Sequence, residues 1–208
     1  MEQKADYARV RVLHTSPDTP AVDIYIDGAK AIGQLTYGQV SDYITLSADR
    51  HQLGVFPVGM SAPGDAFMVA HLQKLRPEDL TLAIVGVRKD LQVATLEDSV
   101  PQPGPGQAKM RVFHASPDAP ALAVDTSAAP HLFPLVSFTE VTDYKDVPAR
   151  TIDMRLRRSS SYTEVLLTLS DYTLVADREY TFVVLGLVDG QPHLTLMPLV
   201  REVIRCPT

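Results

Sequence analysis

Two histidines open the same short motif and are the residues of this chain best suited to chemistry. His14 begins the segment His-Thr-Ser-Pro-Asp18, and His114 begins the segment His-Ala-Ser-Pro-Asp118. Imidazole nitrogens beside carboxylates are the groups that metal sites and general bases use. Further carboxylates available to such a site are Asp23 and Asp42, with Asp143 as the counterpart of Asp42. The motif is therefore a candidate for metal binding or proton transfer.

The same motif also has the composition of a turn. Pro17 and Pro20 fix the backbone φ and interrupt hydrogen-bonded ladders, while Ser and Asp side chains bond nearby amides. A histidine at a strand end can hold such a turn, because one ring nitrogen donates while the other accepts. A working site usually needs a cluster of ligands, and Ala123 replaces Asp23 in the second half of the chain. The sequence therefore favours a structural role for both histidines.

A second repeated pair joins an aspartate to a tyrosine, at Asp42-Tyr43 and at Asp143-Tyr144. In one interpretation each tyrosine is a corner residue, with its ring packed inward and its hydroxyl bonded to the backbone. In the other, an exposed ring stacks on a sugar while the aspartate accepts sugar hydroxyls. The structural interpretation is favoured, because half-buried tyrosines normally find a backbone partner.

Signatures of known catalytic sites are missing from the sequence. It contains no HExxH zinc motif, no phosphate-binding loop and no dinucleotide fingerprint. The segment Gly59-Met-Ser-Ala-Pro-Gly64 is not a nucleophile elbow, because its second glycine comes one residue late. We therefore expect a protein that is not an enzyme and that binds no cofactor or metal.

The remaining histidines have no counterparts in the repeat. They are His51, His71, His131 and His193, and we expect them on the surface or half-buried. Cys206 is the single cysteine, so an internal disulfide is excluded. Its place near the end of the chain favours an inert thiol.

The motifs recur because the chain is a tandem duplication. Residues 8–21 return at 108–121, and Leu80–Val87 returns as Tyr180–Leu187. This period is far longer than that of solenoid repeats, so each copy should be a domain with its own core. Residues 99–107 contain three prolines and two glycines and predict a linker. The expected domains are 1–98 and 108–208.

Alternating apolar residues predict β-strands almost throughout, about seven in each copy. In the first copy they are Arg9–Leu13, Val22–Asp27, Asp42–Leu46, His51–Phe56, Phe67–Leu72, Leu80–Val87 and Leu91–Leu96; in the second, Thr151–Leu156, Thr163–Leu169 and Tyr180–Val188 match the later ones. The run from Leu82 to Val85 predicts a buried central strand, whereas Asp23 and Asp27 predict a strand with one solvated face. The expected fold is all-β, with two tandem antiparallel β-sandwich domains of immunoglobulin-like type.

Composition limits the partners and the location. The chain is 45% hydrophobic and 21% charged, with a net charge of −6. It can bury a core in each half, no apolar run approaches the roughly 20 residues that span a bilayer, and nucleic acid is not an expected partner. The polar segment Met1–Tyr7 lacks the apolar core of a signal peptide, which predicts a cytoplasmic protein, with the cell or spore surface as the alternative.

These motifs together resemble a known family. The segment His-x-Ser-Pro-Asp-x-Pro-Ala from His14, Val-Asp-Ile-Tyr-Ile-Asp-Gly from Val22 and Val-Ser-Asp-Tyr from Val40 is similar to the DUF4397 domain of bacteria and archaea. The resemblance covers essentially the whole chain, twice. It implies β-sandwich-like modules without an established reaction, common in secreted or surface proteins, and similar signal-less members occur in spore-forming bacteria. Because the second copy departs from the Val22 segment, a role of Asp23, Tyr25 and Asp27 is not expected there.

Three functions remain open. The first is a structural or interaction module that binds itself or a protein partner through sheet edges. Phe67–Leu72 and Thr163–Leu169 support this function, since Glu164 is their only charged residue and charges normally protect an edge. The second is a module that binds a carbohydrate or small molecule, and the third is a metal-dependent hydrolase built on His14.

Overall fold

A computed structural model describes residues 6–76, 78–98 and 102–202. Among these residues, all regular structure is β-strand apart from one 3₁₀ turn at Pro63–Asp65, so the all-β prediction is confirmed. The described part of the chain holds no helix long and apolar enough to cross a membrane. The chain divides into two compact units, Met1–Ser99 and Val100–Thr208. Cys206 and the first three positions of the predicted linker lie outside the described residues.

Eight strands form two sheets in unit 1. They are β1 (Tyr7–His14), β2 (Val22–Ile26), β3 (Ala29–Leu35), β4 (Ile44–Ser47), β5 (His51–Pro57), β6 (Met68–Leu72), β7 (Asp79–Val85) and β8 (Gln92–Glu97). One sheet has the order β4-β1-β7-β8 and the other the order β3-β2-β5-β6. Alternate residues of both sheets, such as Val10, Ile24 and Leu53, are fully buried in one shared core. This is the packing that the period-two apolar pattern predicts.

Unit 2 repeats this topology with eight further strands. They are β9 (Gln107–His114), β10 (Leu122–Thr126), β11 (Phe133–Val136), β12 (Lys145–Pro148), β13 (Thr151–Arg158), β14 (Ser161–Thr173), β15 (Arg178–Leu185) and β16 (Thr195–Glu202). The sheet orders are β12-β9-β15-β16 and β11-β10-β13-β14, which match unit 1 strand for strand. The strand β9 begins at Gln107, the last position of the predicted linker.

One central strand pair in each unit is parallel, so the prediction of wholly antiparallel sheets does not hold there. β1 runs parallel to β7, with Val12 opposite Leu82, and β9 runs parallel to β15. The physical reason is that the chain leaves β1 for the other sheet and returns to β7 much later, so the pair is not a hairpin. β7 is buried along nearly its whole length, as the run from Leu82 to Val85 predicts.

Strand β3 was not predicted from the sequence. Its alternation is weak, because few of its side chains reach the core and most of the strand is exposed. The turn before it, however, has positive φ at both Asp27 and Gly28, at 50° and 80°. Two such residues form the tight turn that joins antiparallel strands, so the Asp-Gly pair was a usable signal for this hairpin.

Candidate functional site

The His14 side chain closes the end of β1 and is completely buried. Its Nε2 lies 3.1 Å from the carbonyl oxygen of Pro20, and its Nδ1 lies 3.3 Å from the backbone N–H of Ser16. These partners assign a neutral ring in which Nε2–H donates and Nδ1 accepts. Burial lowers the pKa of His14, which favours the same neutral form.

The rest of the motif ties this turn to the β7–β8 hairpin. Thr15 donates its backbone N–H and its hydroxyl to the carbonyl of Ile84, at 3.0 and 2.8 Å. The Oδ1 atom of Asp18 accepts the backbone N–H of Arg88 at 2.7 Å. The motif therefore joins the β1–β2 connection to the loop that leaves β7.

Unit 2 repeats most of these contacts at the equivalent positions. His114 is fully buried, and its Nε2 lies 3.1 Å from the carbonyl oxygen of Pro120. Asp118 accepts the backbone N–H groups of Val188 and Asp189 at 2.9 and 3.1 Å. The His114 Nδ1 atom has no hydrogen-bond partner among the described residues, and burial lowers the pKa of His114.

The geometry supports a structural role for both motifs. Each ring donates to a backbone carbonyl from a fully buried position, which leaves His14 with no free nitrogen for a metal or a substrate proton. In the part of the chain that the structure describes, no three His, Cys, Asp or Glu side chains are placed to hold a metal ion. Asp42 and Asp143, the other predicted site carboxylates, are exposed.

The prediction that Asp23 lies on a solvated face is wrong. Its carboxylate is completely buried, although its neighbours Val22 and Ile24 point to the core and Asp23 faces the other side of the sheet. It accepts Lys30 Nζ at 2.6 Å and the backbone N–H groups of Gln34 and Gly59, both at 2.9 Å. Burial raises the pKa of Asp23, but these donors outweigh it and hold the pKa below its ordinary value.

In unit 2 the same anchoring role falls to a different aspartate. Ala123 pairs with Arg157 of the neighbouring strand, as Asp23 pairs with Phe56, so Ala123 does occupy the Asp23 position. Two residues further along the same face, Asp125 accepts the backbone N–H of His131 at 2.9 Å and Arg157 Nε at 2.7 Å. Aligning the two halves of the chain position by position did not identify Asp125, because in unit 2 the anchoring carboxylate lies two residues further along the same face of the strand.

The corner interpretation of Tyr43 and Tyr144 is wrong in two respects. The Tyr43 ring lies under the guanidinium groups of Arg9 and Arg11, at 4.8 and 4.9 Å, on the face of β1 that points away from the core. Its hydroxyl donates to Asp98 Oδ2 at 2.7 Å, not to the backbone. A buried carboxylate accepts a stronger hydrogen bond than a neutral carbonyl, which explains the choice of partner. In unit 2 the Tyr144 hydroxyl lies 3.1 Å from Thr181 Oγ1.

Asp98 is the polar centre that sequence analysis did not identify. Its side chain is 2% exposed and lies 3.2 Å from Arg11 Nη2, whose own side chain is 11% exposed. The same carboxylate oxygen accepts the hydroxyls of Tyr43 and Thr81, at 2.7 and 2.5 Å. Its donors come from β1, from the residue before β4 and from β7. No local pattern in the sequence therefore predicts the cluster.

His51 is a second exception to the sequence-based expectation, which treated it as an ordinary histidine. Its Nδ1 lies 2.6 Å from Asp27 Oδ2 and its Nε2 lies 2.9 Å from the carbonyl oxygen of Ser47. Both partners are acceptors, so they favour the doubly protonated imidazolium form of the ring. Burial lowers the pKa of His51, but the bonds to Asp27 and Ser47 outweigh it and raise the pKa above its ordinary value.

The opposite pKa shifts of His51 and His14 predict opposite pH dependences of stability. The contribution of His51 is fully present below about pH 6.5 and is lost as the pH rises through its raised folded-state pKa. The contribution of neutral His14 is present above about pH 6.5 and is lost as the pH falls through its lowered folded-state pKa. Urea denaturation of the wild type, His51→Asn and His14→Gln across this range measures both terms.

We expect the wild type to exceed His51→Asn in free energy of unfolding chiefly at low pH. It should exceed His14→Gln chiefly at neutral and higher pH. Two difference profiles with the same slope would contradict the assigned protonation states.

Comparison with known proteins places these features in context. The model of a family described as a domain of unknown function, DUF4397, matches residues 8–125, which span unit 1 and reach into β10. No curated protein matches the chain.

Solved structures show a distant likeness. A candidate cell adhesion protein from Bacteroides uniformis is 11% identical, with 93% of this chain and 97% of that chain covered and a TM-score of 0.30. A streptococcal virulence factor solved for its binding of α-glucan is 14% identical, with 86% and 93% covered and a TM-score of 0.28.

Proposed function

Since the chain belongs to the DUF4397 family, whose description names no function, we propose from its own geometry that it is a non-catalytic interaction module. The module assembles with a second copy of itself through a strand edge. The histidines support a non-catalytic role, because both rings are fully buried and each donates Nε2–H to a backbone carbonyl.

We also propose that unit 2 is a second copy of the same domain. Its strand order repeats that of unit 1. Its histidine motif bonds the equivalent backbone carbonyl, that of Pro120 in place of Pro20. Correspondence of both topology and motif supports duplication of the whole domain.

The observation that carries the assembly proposal is the edge strand β14. It has thirteen residues, lies at the end of its sheet and pairs with β13 on one side. At about 3.3 Å per residue its thirteen residues span at most roughly 43 Å, and its register with β13 shifts at three places where bulges interrupt the ladder. It contains no Pro, Lys or Arg, and its Glu164 is paired with Arg158 of β13 at 2.8 Å. Apart from these bulges it carries little of the protection that keeps sheet edges apart, so its length suits it to pairing with another strand.

The other edge strands are shorter, and several carry the residues that normally block pairing. Pro or Lys/Arg occurs in β3 (Lys30), β11 (Pro134), β12 (Lys145, Pro148) and β16 (Pro198, Arg201), while β4, β6 and β8 have four, five and six residues. Only β14 combines length with the absence of Pro, Lys and Arg. We therefore assign the contact to β14.

A second copy of this chain is the partner that the geometry favours. A two-fold axis brings the same edge of two copies together with their strands antiparallel, which is the more stable arrangement. The paired segment would begin at Ser161 and end before Asp171, where a positive φ of 54° interrupts the regular strand. Such a dimer would continue the four-stranded sheet of one copy into that of the other.

Replacing Val165 with lysine is expected to abolish the dimer. Val165 lies in β14 with its side chain 43% exposed, and a lysine there would place like charges near the two-fold axis. Val175→Lys is the matched control, because Val175 lies just outside β14 and is 44% exposed. Size exclusion coupled to light scattering measures the mass of each variant.

The wild type and Val175→Lys should have twice the mass of the chain at micromolar concentration, and Val165→Lys the mass of one chain. A strictly monomeric wild type would remove the assembly proposal and leave ligand binding as the better function.

A further inference from the structure

Unit 1 contains a groove of about 420 Å³ at the open side between the edge strands β6 and β8. Its floor is apolar and is formed by Leu72, Leu75, Leu80 and Val93. The three leucines are only 8%, 7% and 3% exposed, so the groove reaches the edge of the core. Its volume lies within the range of small-molecule sites.

Unit 2 fills the equivalent space with aromatic rings. Strand pairing places Tyr172 opposite Ile152, as Leu72 lies opposite His51, and Tyr180 opposite Met110, as Leu80 lies opposite Val10.

The rings of unit 2 pack on one another. The centroid of Tyr172 lies 5.9 Å from that of Tyr180 and 5.2 Å from that of Phe182, and Tyr180 is 2% exposed. In unit 1 the corresponding side chains are leucines, Leu72, Leu80 and Leu82. The fold therefore accommodates aromatic rings at this place, and unit 1 leaves the room for them unfilled.

The charged side chains on the rim of the groove favour a ligand that carries a negative charge. Arg76 pairs with Glu97 at 2.9 Å, which neutralises both. Lys74, also on the rim, is exposed and makes no ion pair or hydrogen bond among the residues that the structure describes. The charged side chains of the rim therefore leave one cation unbalanced.

We propose that this groove binds a small aromatic anion, with its ring on the floor leucines and its carboxylate or sulfonate group at Lys74. The ring occupies the volume that Tyr172 and Tyr180 fill in unit 2. The anion supplies the counter-charge that Lys74 lacks. The observations that carry this proposal all come from unit 1 and its comparison with unit 2, and none of them rests on the strand-edge assembly through β14.

Anilinonaphthalene sulfonate, an aromatic anion whose fluorescence rises in apolar surroundings, is the probe for a titration of the full chain. We expect saturable binding at one site per chain. Replacing Leu72 and Leu80 together by tyrosine, the residues of unit 2, should weaken binding at least about tenfold. Lys74→Glu should weaken it by a similar factor, because the rim then carries a net negative charge.

Two controls separate the proposed contacts from adventitious dye binding. The uncharged analogue phenylnaphthylamine should bind Lys74→Glu as well as it binds the wild type, since it makes no use of the ammonium group. Lys89→Glu makes the same charge change on an exposed loop outside the groove and should leave both affinities unchanged.

Sulfonate binding that Lys74→Glu does not weaken, or that Lys89→Glu weakens equally, would overturn the proposal. So would unsaturable binding, which indicates an adventitious additive only. Lys74 is exposed and its replacement leaves the core intact, so this variant decides the matter even where the double tyrosine variant loses its cooperative melting.

Discussion

Replacing Asp98 with alanine is expected to lower the free energy of unfolding of unit 1 by about 3–5 kcal/mol. The change removes the carboxylate from a buried cluster and leaves the Arg11 guanidinium, which is 11% exposed, without its counter-charge. The hydroxyls of Tyr43 and Thr81 lose the same acceptor. Hydrogen exchange of the full chain, followed by mass spectrometry on peptides from β1 and β7, measures the loss in unit 1 separately.

The matched control is Asp79→Ala, which breaks an ion pair on the same sheet. Arg9 and Asp79 are joined at 2.7 Å, but the Arg9 side chain is 56% exposed, so we expect a loss below about 1 kcal/mol. Asp98→Asn retains an acceptor for the hydroxyls and should fall between the two. Equal losses of unfolding free energy for Asp98→Ala and Asp79→Ala would show that burial does not increase the contribution of the Asp98 cluster to stability.

Asp98 also shows which contacts could not be predicted from the sequence. The turn motifs could be read from the sequence because their chemistry is local: His14 bonds the carbonyl of Pro20 six residues away. The donors to Asp98, in contrast, lie far from it in the chain and meet it only through the pairing of β4 with β1, of β1 with β7 and of β7 with β8. Long-range register cannot be read from a single local pattern.

The fold class was predictable for the same reason. Period-two alternation and turn residues are local signals, and they identified most strands, among them the edge strands β6 and β14, which carry few charges. β3 was missed because its outward residues are mostly exposed and its alternation is weak. The buried position of Asp23 was missed because alternation distinguishes the two faces of a strand but does not show that Lys30 and the Gly59 turn cover one of them.

The two units share one strand order and differ in their surfaces. Both retain the histidine turn, but the groove beside β6 is lined by leucines in unit 1, whereas Tyr172 and Tyr180 fill its place in unit 2. Unit 2 in turn extends its edge strand to thirteen residues, against five in β6. This division is consistent with ligand binding by the first unit and assembly by the second.

Replacing Gly86 with alanine is expected to destabilise unit 1 by about 2–5 kcal/mol, the combined cost of backbone strain and overpacking. Gly86 has a φ of 93°, a conformation that L residues rarely adopt. A Cβ atom at this position would also meet the backbone carbonyl oxygen of Asp90, closer than the 3.0 Å that real Cβ atoms keep. Urea denaturation and hydrogen exchange of the full chain measure the loss.

Gly59→Ala separates the two costs, because Gly59 has a similar φ of 81° but no atom within 4 Å of its Cβ position. Its stability should fall only by the cost of the backbone strain, about 1–2 kcal/mol.

Gly86 lies in the loop that carries Arg88, whose N–H binds Asp18, so Gly86→Ala should also increase exchange in the His14 turn. The same change at Gly186, where a Cβ would meet the His193 carbonyl, should loosen the turn of His114 and leave that of His14 protected. Equal losses at Gly59 and Gly86, with both turns unaffected, would contradict the link between this repeated glycine and the histidine motif.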